Sequence, residues 1–188
     1  LGIGAPGFAG YPETAALYSH FDGVARAGDL PDFAPHHPDP YPPDHSALHH
    51  VFPGGWIWVL RFDDGTASAG VSCPRRLAEG LRLEEGDAAW ARLLARFPSV
   101  AAQFAGAVPR RPLVHAPRLS FRMARAAGVG DGGAPWALLP SAAGFVDPLY
   151  STGFALTLAG IARLAAGWQA GGHDAGSLAR YEEDTFRD

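Results

Sequence analysis

The sequence predicts an α+β protein: an antiparallel β-sheet with covering helices, then a short strand, a long loop and one strong helix. Three observations carry that assignment. From Ala47 to Cys73 runs of aromatic and β-branched residues are separated by Pro53-Gly54-Gly55 and Asp63-Asp64-Gly65, the pattern of a three-stranded antiparallel meander. After Pro74 the spacing becomes helical, with Trp90, Leu93, Leu94 and Phe97 on one stripe. Near the C-terminus Ser151 to about Trp168 reads as the strongest helix of the chain.

Taken in order, the first convincing element is a strand from Thr14 to Phe21. There Ala15, Leu17, Ser19 and Phe21 alternate with Ala16, Tyr18 and His20. Pro31 to Pro43 must be a loop, because each proline removes a backbone donor and restrains the residue before it. The meander strands follow as Leu48 to Phe52, Trp56 to Phe62 and Thr66 to Cys73. On the middle strand Trp56, Trp58, Leu60 and Phe62 share one face, and Ile57, Val59 and Arg61 the other.

A helix is expected over Glu85 to Phe97, with acidic residues in its first turn and Arg92 and Arg96 late, as the helix dipole favours. Pro98 ends it and opens a second helix through Val100, Gln103 and Phe104. A strand at Leu119 to Ala124, a glycine-rich turn from Gly128 to Gly133 and a buried strand Trp136 to Leu139 come next. The strong helix is followed by a weaker one from about Ala175. Two domains are expected, residues 1–125 and 126–188.

Composition bounds the function. The chain has 188 residues, 47% of them hydrophobic, enough for one sizeable core or two small lobes. Its net charge is −4 and all fifteen basic residues are arginine, without a basic stripe, so nucleic acid is not an expected partner. Cys73 is the single cysteine, which excludes an internal disulfide framework and fits a reducing compartment. The longest apolar run, Phe154 to Ala166, is broken by Thr157, Gly160 and Arg163; no membrane span or leader is expected and the default location is cytoplasmic.

The chemistry is sought at Pro140 to Gly153, the loop into the strong helix. The unpaired N–H groups of a helix start carry partial positive charge and can face an anion or an electron-rich ring edge. Gly153 admits a close approach to the backbone and Gly144 permits a turn. The competing reading is that Ser151 simply caps the helix.

Trp136 to Ala165, centred on Ala142-Ala-Gly-Phe-Val-Asp-Pro-Leu-Tyr-Ser-Thr-Gly153, resembles the flavin-closing segment of the FAD-dependent halogenases and their aromatic-hydroxylase relatives. His49-His-Val-Phe-Pro-Gly-Gly-Trp-Ile-Trp-Val-Leu-Arg61 is similar to the Trp-x-Trp-x-Ile-Pro signature of the same halogenases. The order and separation of the two motifs match, as does Phe97-Pro98. The resemblance implies that the second domain is the C-terminal strand, loop and helix of an FAD-binding domain and the first a substrate-domain-like sheet. It implies FAD contacts at Ser141, Gly144, Asp147, Pro148, Thr152 and Gly153, with Thr152 and Gly153 also bordering halide in a true halogenase. Trp56, Trp58 and Tyr150 become candidates for contact with a small aromatic substrate.

The departures from that pattern carry their own implications. Pro140-Ser141 stands where the family usually has Gly-Asp, so a hydroxyl replaces a charge. Tyr150 replaces the Glu of tryptophan halogenases, and Arg61 stands where the Trp-x-Trp motif ends in Pro. The family's catalytic lysine has no counterpart in a chain without lysine. The expected glycine-rich dinucleotide fingerprint is missing too: Gly2-Ile-Gly-Ala-Pro-Gly7 matches its letters, but no strand precedes it and Pro6 obstructs a following helix. The sequence therefore reads as part of a larger flavoprotein and one that by itself binds FAD weakly or not at all. The reaction implied is reduction of FAD by NAD(P)H or a flavin reductase, reaction with O₂, and transfer of oxygen to an aromatic ring or to halide.

Three other readings compete with this one. His36, His37, His45, His49 and His50 with Asp39 and Asp44 lack metal-ligand spacing, and no metal is expected. His115 and Ser120 lack a nucleophile elbow. A non-catalytic platform, offering the sheet face to a peptide or carrier protein, is the alternative from another functional class.

Overall fold

Small and large apolar residues alternate over β1 (Thr14–Asp22), and the meander follows as β2 (Leu48–Phe52), β3 (Gly55–Arg61) and β4 (Ala67–Pro74). The computed structural model describes Gly7 and residues 12–33, 40–172 and 174–187. β4 returns beside β1 with Thr14 opposite Pro74 and Phe21 opposite Ala67. Helices α1 (Arg75–Leu81), α2 (Asp87–Leu94) and α3 (Pro98–Gln103) come next, then two short strands, β5 (Val108–Pro109) and β6 (Val114–Ala116). The sheet order is β2-β3-β4-β1-β5, with β6 also pairing β1. The described residues of Glu13–Arg118 form one compact unit.

The helical region differs from expectation at its start. α1 is not marked by local propensity, which Gly80 weakens, but Ala78 and Leu81 are buried against the sheet and hold it. The helix expected from Glu85 begins at Asp87, because Leu83–Glu85 is a 3₁₀ turn and Gly86, at φ 58°, separates the two. Pro98 opens α3 as expected.

One face of the sheet makes the core. Leu17, Phe21, Ile57, Val59 and Val71 pack with Leu81, Leu93, Trp90 and Phe104, all buried. Phe21, Trp90 and Phe104 meet pairwise at ring-centroid separations of 5.8, 5.7 and 5.3 Å. Burial of such side chains contributes about 1.5–3 kcal/mol each. Two polar networks lock the edges. Gln103, fully buried, donates to Ala25 O (3.2 Å), accepts at its own carbonyl from Ala25 N–H (2.8 Å), and holds His50 Nε2 at 2.9 Å from Oε1. Arg61 donates to Val24 O and Ala25 O (2.8 and 3.0 Å) and lies 3.7 Å from Asp44, whose carboxylate accepts from Ala27 N–H and Gly28 N–H. Arg61, singular against the resembled motif, therefore has a structural task.

The other face is aromatic. Trp56 and Trp58 have centroids 5.6 Å apart, Trp58 lies 6.2 Å from Tyr18, and His49 stands edge-on to Trp56 at 4.8 Å. β4 supplies Gly70 opposite both Tyr18 and Trp58, which leaves room for the indole.

The second unit comprises the described residues of Leu1–Pro12 and Leu119–Asp188. It contains β7 (Phe121–Arg122), β8 (Ala127–Val129), β9 (Pro135–Ala137), α4 (Pro140–Ala143), β10 (Gly144–Phe145), α5 (Thr152–Gln169) and α6 (Ala175–Arg187). The strand expected over Leu119 to Ala124 is reduced to β7, which pairs with β10. The buried strand expected at Trp136 to Leu139 is instead β9, a half-buried partner of β8 in a small hairpin. Pro140 cannot continue a ladder, so the strand stops short of it. Glu182 on α6 ties the unit together, accepting from Ala126 N–H (2.6 Å), Ala127 N–H (3.1 Å) and Arg125 Nε. Tyr181 Oη donates to Leu138 O at 2.8 Å.

α5 departs from expectation in its surface. The stretch Leu149–Gln169 is long and apolar enough to cross a bilayer, and only 6% of its most apolar 18-residue window is buried. Thr157, Gly160 and Arg163 do not break the run as expected, because the apolar residues around them dominate its average.

Candidate functional site

The loop into α5 is built in short steps. Leu139 is extended, as a residue before proline should be, and Pro140 opens the single turn of α4. Gly144 and Phe145 pair with β7, with Gly144 opposite Arg122. Asp147 Oδ1 accepts from Leu149 N–H at 2.7 Å and starts a 3₁₀ turn through Ser151. Tyr150 and Ser151 are both left-handed, at φ 57° and 54°, which costs non-glycine residues about 1–2 kcal/mol each. Ser151 occupies the cap position of α5 without a side-chain hydrogen bond, so the simple capping reading does not hold.

A cavity of about 140 Å³ opens at this point. Five of the six sequence-derived cofactor candidates line it: Ser141, Gly144, Asp147, Thr152 and Gly153; Pro148 is not among the lining residues. Thr152 is exposed and Gly153 half-buried, with nothing within 4 Å of the position a Cβ would take. Thr157 Oγ1 donates to Ser141 Oγ at 2.9 Å, tying the loop to the second turn of α5. Among the described residues Asp147 is the only carboxylate on the wall.

Sequence reasoning missed the far wall. Thr185 and Phe186 of α6, with Phe145, Val146 and Leu156, complete the lining, and the guanidinium of Arg122 lies 4.0 Å over the Phe186 ring. The apolar spacing of Leu178, Tyr181 and Thr185 marks the buried stripe of α6, but nothing local indicates that its end reaches the loop.

The other candidates fall as follows. Trp56 is buried and Trp58 half-buried on the aromatic face of the sheet unit, while Tyr150, in the other unit, is 74% exposed. His36, His37 and Asp39 lie outside the described residues, as does Gly2-Ile-Gly-Ala-Pro-Gly7 apart from Gly7, which bridges to Arg122. Among the described residues no three His, Cys, Asp or Glu side chains converge. His50 is engaged with Gln103, and its burial lowers its pKa, opposed by that hydrogen bond and aided by His49. Burial pushes the Cys73 thiol up to about 11, so it is no ready nucleophile. Ser120 Oγ donates to Pro12 O at 2.5 Å.

A cavity walled by apolar side chains, with one carboxylate, three hydroxyls and the start of an 18-residue helix, suits part of a large, partly anionic organic cofactor. Comparison with known proteins points the same way. No protein-family model matches the chain. It is 38% identical over 128 residues to monodechloroaminopyrrolnitrin halogenase PrnC of Pseudomonas fluorescens, covering 63% of this chain and 21% of that enzyme. It is 29% identical over 149 residues to tetracycline 7-halogenase of Kitasatospora aureofaciens, covering 76% and 26%. Among solved structures, halogenase PltM matches with a TM-score of 0.75 at 26% identity, over 95% of this chain and 36% of that chain; a PltM variant in complex with FAD matches with 0.76. The chain thus spans 21 to 26% of the length of those curated enzymes. Over the part that it covers, it has the fold of the FAD-dependent halogenases.

Proposed function

We propose that the chain forms part of an FAD-dependent halogenase-like oxidoreductase acting on a small aromatic molecule, and that the mouth of α5 is where FAD lies. The observation that carries this reading is the convergence of Ser141, Gly144, Asp147, Thr152 and Gly153 on one cavity in a chain with the halogenase fold. At about 140 Å³ the cavity is smaller than the roughly 300–1,000 Å³ of a complete ligand pocket, so it forms one wall of the site.

When bound, FAD would supply the redox chemistry, taking two electrons from NAD(P)H or a flavin reductase and passing them to O₂, the oxidant that is then turned on halide. The residues of this chain bind and orient. Ser141, steadied by Thr157, offers a hydroxyl to the ribityl and phosphate portion. Asp147 and Pro148 shape the turn, and Gly153 lets a flat ring approach the backbone. The N–H groups at Thr152 and Gly153 face the ring edge and, during halogenation, the halide. Trp56, Trp58 and Tyr150 are the proposed substrate contacts. PrnC and tetracycline 7-halogenase are halogenases, and PltM has been solved with phloroglucinol and FAD; both facts favour halogenation of an electron-rich aromatic ring over hydroxylation.

Titration of the purified chain with FAD tests the reading. Weak, saturable quenching of flavin fluorescence is expected, reduced at least tenfold in affinity by Gly153→Val. Wild-type protein that shows no saturable quenching would overturn it.

A further inference from the structure

The cavity at the mouth of α5 lacks a positive charge of its own. Among the described residues the only charged side chain on its wall is Asp147, a carboxylate that already accepts from Leu149 N–H. A cation stands beside it that belongs to neither the loop nor α5. Arg122 lies on β7, and its guanidinium rests 4.0 Å over the ring of Phe186, a wall residue. Its Cα stands opposite that of Gly144, another wall residue. Directly opposed residues of an antiparallel pair share a face of the ladder, and Gly144 puts no side chain on it. The backbone of Arg122 is fixed at the same place by two hydrogen bonds exchanged with Gly7, of 2.6 and 2.9 Å.

Arg125 and Arg187 of the same unit are neutralised, the first by Glu182 and the second by Glu183 and Asp184. Arg122 has no carboxylate partner among the described residues; its side chain is engaged with Phe186 alone. An arginine stacked face-on to an aromatic ring keeps the N–H donors in its plane free for a ligand.

We infer that Arg122 is a binding residue for the diphosphate of the dinucleotide, forming an oxyanion subsite at the wall made by Gly144 and Phe186. The inference rests on the reading of this cavity as a flavin site and adds what holds the charged part of the ligand. A negative ligand beside Asp147 needs a cation at the cavity's edge, and Arg122 supplies it. The planar guanidinium matches the paired oxygens of a phosphate with two parallel N–H donors, a match that a lone halide cannot make.

Flavins with and without phosphate test the assignment. The chain is titrated with riboflavin, FMN and FAD by flavin fluorescence, as wild type, as Arg122→Gln and as Arg122→Lys, which keeps the charge without the planar fork. FAD is expected to bind more tightly than riboflavin, by a margin that shrinks as salt is raised. Arg122→Gln is expected to weaken FAD and FMN about tenfold and to leave riboflavin unchanged, with Arg122→Lys between. Circular dichroism and the urea midpoint should stay at their wild-type values, because the side chain is exposed. Equal weakening of FAD and riboflavin would mark Arg122 as structural and overturn the inference. Saturable FAD binding that ignores both variants would overturn it too, while leaving the flavin reading intact. Should no flavin bind, calorimetry with inorganic pyrophosphate separates the two: binding that Arg122→Gln abolishes keeps the oxyanion subsite and removes the flavin reading, and absence of binding removes both.

Discussion

The ring of Pro140 occupies the space above Gly160 that a side chain on α5 would fill. This contact fixes the first residue of the candidate site's loop to the middle of the helix whose start forms the site's other end. The loop is thus held at Pro140 by packing, at Ser141 by Thr157, and at Asp147 by its own turn.

Gly160→Val should therefore displace the loop. Overpacking costs typically about 1–3 kcal/mol, so the urea midpoint is expected to fall accordingly, with FAD quenching lost. Unchanged stability would show that the loop yields freely at Pro140.

Gly70 plays a similar part in the sheet unit. A Cβ there would lie 2.5 Å from both Trp58 Cζ2 and Tyr18 Cβ. Gly70→Val is expected to push the indole off the sheet, shifting tryptophan emission and lowering stability by about 1–3 kcal/mol. If Trp58 contacts substrate, the same variant of the active protein raises KM with little change in kcat.

The His50 and Gln103 pair predicts a pH dependence. Burial lowers the His50 pKa in the folded state, so the unfolded chain binds the proton more tightly. The stability from keeping His50 neutral is complete above its unfolded value of about 6.5 and is lost as pH falls from there through the folded pKa. Urea titrations across that window should show the loss, and His50→Gln should flatten it. Gln103→Leu removes the side-chain partner of His50 Nε2 and one of the two donors to Ala25 O, and is expected to cost about 1–3 kcal/mol.

Glu182 acts at lower pH. Burial opposes its ionisation, but the N–H groups of Ala127 and Ala126 and the charge of Arg125 outweigh it and hold its pKa below the usual carboxylate value. Its contribution is present above about 4.3 and disappears as pH falls through the folded pKa. Glu182→Gln should weaken the attachment of α6 to β8 by about 1–2 kcal/mol and remove that acid-side loss, read as hydrogen exchange at Ala126 and Ala127.

Much of this molecule is legible in one dimension. Alternation over Thr14–Asp22 and the turns at Gly54 and Gly65 set the sheet, since a strand's two faces and a tight turn's positive φ are local requirements. The loop residues Ser141 to Gly153 could be nominated because they are neighbours in sequence. α1, by contrast, forms through the burial of Ala78 and Leu81 and not through propensity, and the strand expected at Trp136 to Leu139 is cut short by a proline and by the hairpin it joins.

The sequence by itself determined the meander's strands and turns, the strong C-terminal helix with the weaker one after it, and the segment at which to look for a site, because each depends on spacing within a few residues. Tertiary structure decided what closes that site and which side of α5 is packed. Thr185 and Phe186 reach the loop from more than 30 positions away, and α5 is seated by residues distant in sequence, with Gly160 against the ring of Pro140 and Leu164 against the core that Leu178 and Tyr181 form.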